Sequence, residues 1–385
     1  MFTNRASTFF IIYIITNWPS NDCRNNILRG RSYMAVTIKP CANLTPKKVM
    51  ATELNLKTDG YCTTNTTRSL FYCNSPEQIT LQDAQLADDG KYFTKGTVTG
   101  TGRIYTWHEN QTGKTITSDI LAHNPGTKTV TITITNRGLT NAATYSDITA
   151  WKNYFAGSSE VHYTLAPGAY QSLAVLKQVV STGRCFGAIA NFTIKDSSGN
   201  DGSLLLCDYA YANAVNQSKA TSLAKEPNPS SNRRRGVGNG IYTYMYAPSL
   251  EVTASGRKYI GYKYGVMESN ESGFKGQDLR MINGDGPGVL LGDYGIQLDM
   301  RLTVKNSTGT TGNFRIALGS NGNHFYPIIN KDGVSYYRSS DSGSRMFSDV
   351  MEIDNLPNGA TASVNFFTVI PAGCDAPAVV CAYKI

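Results

Sequence analysis

Hydrophobic and polar positions alternate with a period of two along much of this chain. In Thr129–Thr135, Val130, Ile132 and Ile134 alternate with threonines. In the second half Ile296, Leu298, Met300, Leu302 and Val304 alternate with Gln297, Asp299, Arg301, Thr303 and Lys305. That period puts the aliphatics on one buried face and the polar residues on a solvated one, so both segments are predicted as strands, the second an amphipathic antiparallel one. Further strands are predicted at Thr67–Cys73, Thr94–Glu109, Val161–Leu165, Phe186–Lys195, Tyr242–Tyr246, Tyr259–Tyr264 and Ala378–Lys384, divided by Gly- and Asn-rich turns.

Many short strands favour an all-β fold of two tandem antiparallel β-sandwich domains, jelly-roll or Ig-like. The turn cluster Asp196–Gly202 is the best boundary, although a strand follows at once and a hairpin is the alternative. The expected organisation is a leader-like segment over 1–33, an arm over 34–60 with few strand signals, and sandwich domains over 61–197 and 198–385. A weak echo links the halves: Arg103–Gly113 and Arg301–Gly309 each end a strand in Asn-x-Thr-Gly. Asn-x-Ser/Thr triplets are numerous, at Asn43, Asn65, Asn110, Asn191, Asn216, Asn270 and Asn306, and read as by-products of Asn/Thr-rich loops.

Composition supports this class. Of 385 residues 41% are apolar and only 17% charged, and Gly (36) and Tyr (23) are abundant, the profile of turn-rich β structure. The net charge of +8 is spread out, with one run at Arg233, Arg234 and Arg235. Three arginines can grip an anion, but a solvated loop is the simpler reading. No basic stripe interleaved with aromatics supports nucleic-acid binding. Near the N-terminus Arg5 and Phe9–Ile15 imitate a signal peptide, but no small-x-small cleavage site follows and the run falls short of the roughly 20 residues of a membrane span. Gly30–Tyr33 can be encoded by a purine-rich ribosome-binding sequence just before the Met34 codon, so Met34 is a candidate start.

Of eight cysteines, the close pairs Cys62/Cys73 and Cys374/Cys381, and Cys185 with Cys207, are candidate disulfides, against the simpler reading of small buried hydrophobes. Cys41 is a candidate for joining subunits.

The motifs LFYCNSPEQI (Leu70–Ile79), TVTGTGRIYTWHEN (Thr97–Asn110), LAPGAY (Leu165–Tyr170), RGVGNGIY (Arg235–Tyr242) and GDYGIQLDMRLTVKNSTG (Gly292–Gly309) keep an order that resembles a group of uncharacterised Gram-positive secreted or surface β proteins. Some of these carry copper-amine-oxidase-type N-terminal stalk repeats. The resemblance spans roughly residues 66–385 and implies a surface-associated protein without known catalytic activity. The chain has no cofactor-forming tyrosine motif with a three-histidine copper set, so the enzyme name does not carry over.

No catalytic motif survives inspection, and no cofactor or metal is expected. Gly113-Lys114-Thr115 lacks the upstream glycine of a phosphate loop. His108, Glu109 and His123 are metal-capable types, but alternation turns His108 away from Glu109. Asp196–Gly202 and Asn283–Gly288 lack a calcium-loop pattern. The strongest hint is Tyr242, Tyr244 and Tyr246, which alternate on one face of a strand, either an exposed platform or a core layer. Tyr259, Tyr262 and Tyr264 follow. The expectation is a non-catalytic structural or self-assembling protein of a bacterial cell or spore surface or inclusion, its partner a further copy of itself. The alternatives are a carbohydrate- or cell-wall-binding module and, third, a secreted pore-forming toxin.

Overall fold

The computed structural model describes residues 34–80, 91–212, 234–256, 258–265, 274–275, 281–286, 288–320, 322–338 and 344–385. The leader-like segment 1–33 lies outside the described residues. Residues Val36–Ile385 form one compact unit, and the fold is all-β, with about 60% of residues in strands.

Four sheets make up the unit. A five-stranded sheet is centred on Ile116–His123 and Ser203–Tyr211, and a ten-stranded sheet on Val130–Ala142, Cys185–Asp196 and Thr101–Thr106. Ile120, Ala122, Leu204 and Leu206 from the first share one core with Ile104, Ile132, Ile134 and Ile194 from the second. The third, here called the tyrosine sheet, pairs Tyr242–Val252 antiparallel with Gly60–Asn65 on one side and parallel with Gln297–Asn306 on the other. Gln297–Asn306, the strand expected to be antiparallel, is so only toward Thr361–Thr368. This sheet, like the ten-stranded one, is mixed because neighbours far apart in sequence set strand direction. Its Met245, Leu298, Leu302 and Val304 share a core with Phe314, Ile316, Ile353 and Val380 of a seven-stranded carboxy-terminal sheet. Each pair of facing sheets has the sandwich character that the period-two pattern implies.

Strand pairing crosses the expected boundaries. Arg235–Asn239 adds to Ser69–Cys73 in the ten-stranded sheet. The supposed arm supplies three strands, Thr37–Pro40, Pro46–Lys48 and Leu54–Leu56, to the carboxy-terminal sheet. The turn at Asp196–Gly202 is neither a domain boundary nor a hairpin within one sheet. Closed by a single bridge between Lys195 and Asp201, it carries the chain from Cys185–Asp196 in the ten-stranded sheet to Ser203–Tyr211 in the facing five-stranded sheet. These pairings depend on contacts far apart in sequence, which local periodicity cannot encode.

One device recurs at three corners where the chain passes from one sheet to the facing one. Buried Asn110 donates through Nδ2 to the carbonyls of Lys114 (2.8 Å) and Val180 (2.9 Å), and its Oδ1 accepts from the amide and hydroxyl of Thr112. Buried Asn306 repeats this with Thr310 (2.9 Å), Leu356 (2.8 Å) and Thr308. Asn124 does so with Lys128 and Leu165, and with the Gly126 amide in place of a threonine. The carbonyl of each asparagine also accepts an amide from a second turn, at Gly183, Gly359 and Gly168 respectively. Each amide thus ties two sheet-to-sheet turns together and satisfies backbone groups that water cannot reach. Asn110 and Asn306 are therefore structural locks and not incidental loop residues.

The helix Ile148–Ala156 was not expected. Ile148, Trp151 and Tyr154 recur at helical spacing and are buried. It lies so close over Val130–Ala142 that a Cβ on Gly138 would sit 1.8 Å from the Ala150 carbonyl oxygen, so the helix requires glycine there.

Candidate functional site

The tyrosine sheet presents an ordered outer face. In Tyr242–Val252 the odd positions Thr243, Met245 and Ala247 point into the core, while Tyr242, Tyr244 and Tyr246 are half-buried on the opposite side. Strand register sets them in rows: Tyr61, Tyr246, Arg301 and Asn365; then Thr63, Tyr244, Asp299 and Phe367; then Asn65, Tyr242 and Gln297. Tyr61 is 49% exposed and stacks on Tyr246 at 4.7 Å between ring centres, 10° from parallel. The Arg301 guanidinium lies 4.8 Å from the Tyr244 ring centre and 5.3 Å from that of Tyr246, and it donates to Asp299 at 2.9 Å. Flat rings are thereby held at fixed orientation beside a paired cation and anion.

A cleft of about 560 Å³ opens beside these rings, lined by Tyr242, Tyr244, Arg68, Asp299, Asn330 and helix residue Phe155 among others. Its floor rests on Arg103, which is fully buried. Arg103 donates to the carbonyls of Ile241 (3.1 Å) and Gly295 (3.0 Å) and to the Tyr154 hydroxyl (2.6 Å), with its guanidinium 5.3 Å from the Tyr242 ring centre. A buried cation with this many acceptors locks the helix to two sheets. An arginine beside Ile104 and Tyr105 in a strand whose only other polar residues are the terminal threonines Thr101 and Thr106 was the available signal for it.

The other expected residues disperse. Tyr259, Tyr262 and Tyr264 are core residues, at most 4% exposed. Arg233 lies outside the described residues, Arg234 is half-buried, and Arg235 is buried as the cross-strand neighbour of Cys73, so no exposed anion grip forms from this pair. The cysteines Cys41, Cys62, Cys73, Cys185, Cys207, Cys374 and Cys381 are all buried thiols and none is in a disulfide. Each candidate pair divides between separate core clusters: Cys62 from Cys73, Cys185 from Cys207, and Cys374 from Cys381. Nearness in sequence does not bring strand residues to one face. Cys41 is 6% exposed, and burial pushes its thiol up to about 12, so it does not present a reactive group to a neighbouring subunit.

Asp196 accepts from Lys128 and from the amides of Ser198 and Asn200, which hold its carboxyl down at about 2. Asp201 pairs with Lys195. These carboxylates complete a turn and do not gather around a cation. His123 stacks on Tyr170 at 4.1 Å, far in role from His108. His108 instead meets Cys73 and Asp208, whose ligand-type atoms all lie within 4.8 Å of one another. A nucleophilic triad would need one ring nitrogen on the sulfur. Here His108 Nδ1 is engaged 2.6 Å from the Pro76 carbonyl and Nε2 is 2.9 Å from Asp208, and all three residues are fully buried.

A second cavity, about 430 Å³, is walled by Tyr72, Tyr105, Trp107, Tyr145 and Tyr294. Behind Tyr105, buried Asp147 accepts its hydroxyl at 2.9 Å and the Ala372 amide at 2.7 Å. Burial raises the Asp147 carboxyl to about 7 against these hydrogen bonds.

No family model matches the chain, and no curated protein does. Among solved structures it is similar to an anti-sigma factor domain-containing protein at 12% identity, covering 74% of this chain and 77% of that one, with a TM-score of 0.16. It is similar to the Macrobrachium rosenbergii nodavirus structure at 10% identity, 92% and 99% coverage and a TM-score of 0.15. For the PBSX exported protein XepA the values are 10%, 86%, 86% and 0.12. At these TM-scores the likenesses carry no argument. Among the described residues no helix is long and apolar enough to cross a membrane.

Proposed function

We propose that the chain is a non-catalytic glycan-binding protein of a bacterial surface and that the outer face of the tyrosine sheet is its binding platform. The observation that carries this reading is the group of part-exposed tyrosines Tyr61, Tyr246 and Tyr244 on adjacent rows of one face, bordered by Arg301, Asp299 and a cleft of ligand size. Tyrosine rings offer apolar faces that stack on the C–H faces of sugar rings. The neighbouring guanidinium, carboxylate and amides suit hydroxyl groups, and the rings lose little entropy because Arg301 and strand register already fix them. Retention of the full chain on insoluble peptidoglycan and on cellulose tests the reading. Wild type is expected to be retained on at least one of them, and a Tyr244→Ala, Tyr246→Ala double variant to flow through. Equal retention of both proteins would exclude the platform.

A self-assembling surface protein is the second reading, favoured by the edge strand Thr37–Pro40. Among the described residues it pairs on one side only, with Met346–Leu356, and Val36 and Ile38 are 41% and 38% exposed. An open edge with apolar side chains is a template for another copy. Light scattering and negative-stain microscopy would give filaments or sheets that an Ile38→Lys variant no longer forms. A monodisperse monomer would eliminate this reading.

A further inference from the structure

We infer that Cys73, His108 and Asp208 form a closed binding site for a zinc-type transition-metal ion that ties the two sheets of the first sandwich together. Cys73 ends the strand Ser69–Cys73 and His108 begins His108–Asn110, both in the ten-stranded sheet. Asp208 belongs to Ser203–Tyr211 in the facing five-stranded sheet. A thiol, an imidazole and a carboxylate from the two layers thus converge where no solvent reaches.

The hydrogen bonds of His108 indicate what belongs there. The Pro76 carbonyl can only accept, so Nδ1 carries a proton. Nε2 then faces Asp208 Oδ2 at 2.9 Å, and two acceptors approach so closely only with a proton or a cation between them. A second ring proton would satisfy that single contact. It would leave Asp208 Oδ1, the Ser75 hydroxyl two residues beyond Cys73, and the hydroxyl of Thr94, cross-strand partner of Asp208, buried without a hydrogen-bond partner. Buried polar groups left over in one neighbourhood mark an ion or water that the protein alone does not supply. A divalent ion would engage carboxylate, imidazole and thiolate together, with a bound water as fourth ligand, in place of the bond the thiol now donates to the Ser75 carbonyl at 3.5 Å.

The donor set and its surroundings suit such an ion. Zinc bonds of about 2.0–2.3 Å place tetrahedral ligand atoms about 3.3–3.7 Å apart. The three donors lie within 4.8 Å of one another, and on binding the carboxylate would draw back from its 2.9 Å contact with Nε2 or turn Oδ1 to the ion. The Nδ1–H bond to a backbone carbonyl is the contact that orients metal-binding histidines. Phe93 and Phe186, with ring centres 5.0 and 5.4 Å from the imidazole, supply an apolar wall. Binding displaces the thiol proton to solvent, and the thiolate then bonds to the metal.

The full chain, expressed without a histidine tag and refolded from denaturant with zinc, is to be assayed for metal by mass spectrometry after gel filtration. About one zinc per chain is expected, and cobalt in its place should give a thiolate-to-cobalt charge-transfer band. Cys73→Ser should abolish that band, and Asp208→Asn, which alters a direct ligand, should weaken metal affinity by at least the roughly 10–100-fold that loss of an outer partner costs. Should these variants not fold, chelation of wild type provides the readout: Tm should fall and recover with zinc but not with magnesium. A refolded wild-type chain that takes up neither metal, a cobalt band that survives Cys73→Ser, or a Tm unmoved by chelation would each overturn the site.

Discussion

The corners at Asn110 and Asn306 use the same lock, bond for bond, yet the strands that lead into them carry opposite chemistry. Two residues before Asn110, His108 turns inward to Cys73 and Asp208 in a closed apolar shell. Five residues before Asn306, Arg301 turns outward over Tyr244 and Tyr246 at the solvated face. The repeated element is therefore the backbone corner, which must satisfy buried carbonyls wherever the chain changes sheet. Side-chain chemistry is free to differ because a strand offers two faces and the lock occupies neither. A framework can thus recur while one copy holds a polar cluster in its interior and the other builds a surface.

Replacing the lock asparagines should have the largest effect. Asn110→Ala or Asn306→Ala strands two buried carbonyls and should each cost about 4 kcal/mol in urea unfolding. A neutral result at one corner would end the equivalence of the two. Asn124→Ala should cost somewhat less, since its Oδ1 holds only a glycine amide.

The next effect is a pH dependence. Burial raises Asp147 from 3.8 to about 7, so between those values the folded chain holds a proton that the unfolded chain has released. The stability tied to the neutral carboxyl is fully present below about pH 4 and is lost as pH rises through about 7. The free energy of unfolding should fall across this window by an amount on the order of 4 kcal/mol, melting temperature with it, and Asp147→Asn, which imitates the neutral acid, should flatten the profile. An unchanged slope in that variant would assign the dependence elsewhere. The smallest effect is expected at the surface: Arg301→Ala should weaken glycan binding about tenfold, roughly 1.4 kcal/mol, without altering urea unfolding.

What the sequence made legible follows from locality. The alternations around Ile132 and Leu302 predicted the buried faces correctly, and all of these aliphatics lie in the core. The echo between Asn110 and Asn306 was readable as a pattern, but its meaning was not, because the bonds run to Val180 and Leu356, 70 and 50 residues away. The outward set of Tyr242, Tyr244 and Tyr246 follows from period two once Met245 is known to face inward. Tyr259, Tyr262 and Tyr264 look alike in sequence and belong to the core, since which face is covered depends on a partner sheet. Asp208 stands 100 residues from His108, so no spacing motif announces the cluster. The helix was missed because Ile148, Trp151 and Tyr154 form a stripe of only nine residues between long strands.

The most direct test of two separate chemistries on one framework is a calorimetric titration of soluble peptidoglycan fragments into three proteins: wild type, Tyr246→Ala and Cys73→Ser. Binding that is lost in Tyr246→Ala and unchanged in folded Cys73→Ser is the predicted result. Binding by wild type that survives Tyr246→Ala, or that disappears with Cys73→Ser while the fold is intact, would contradict the account.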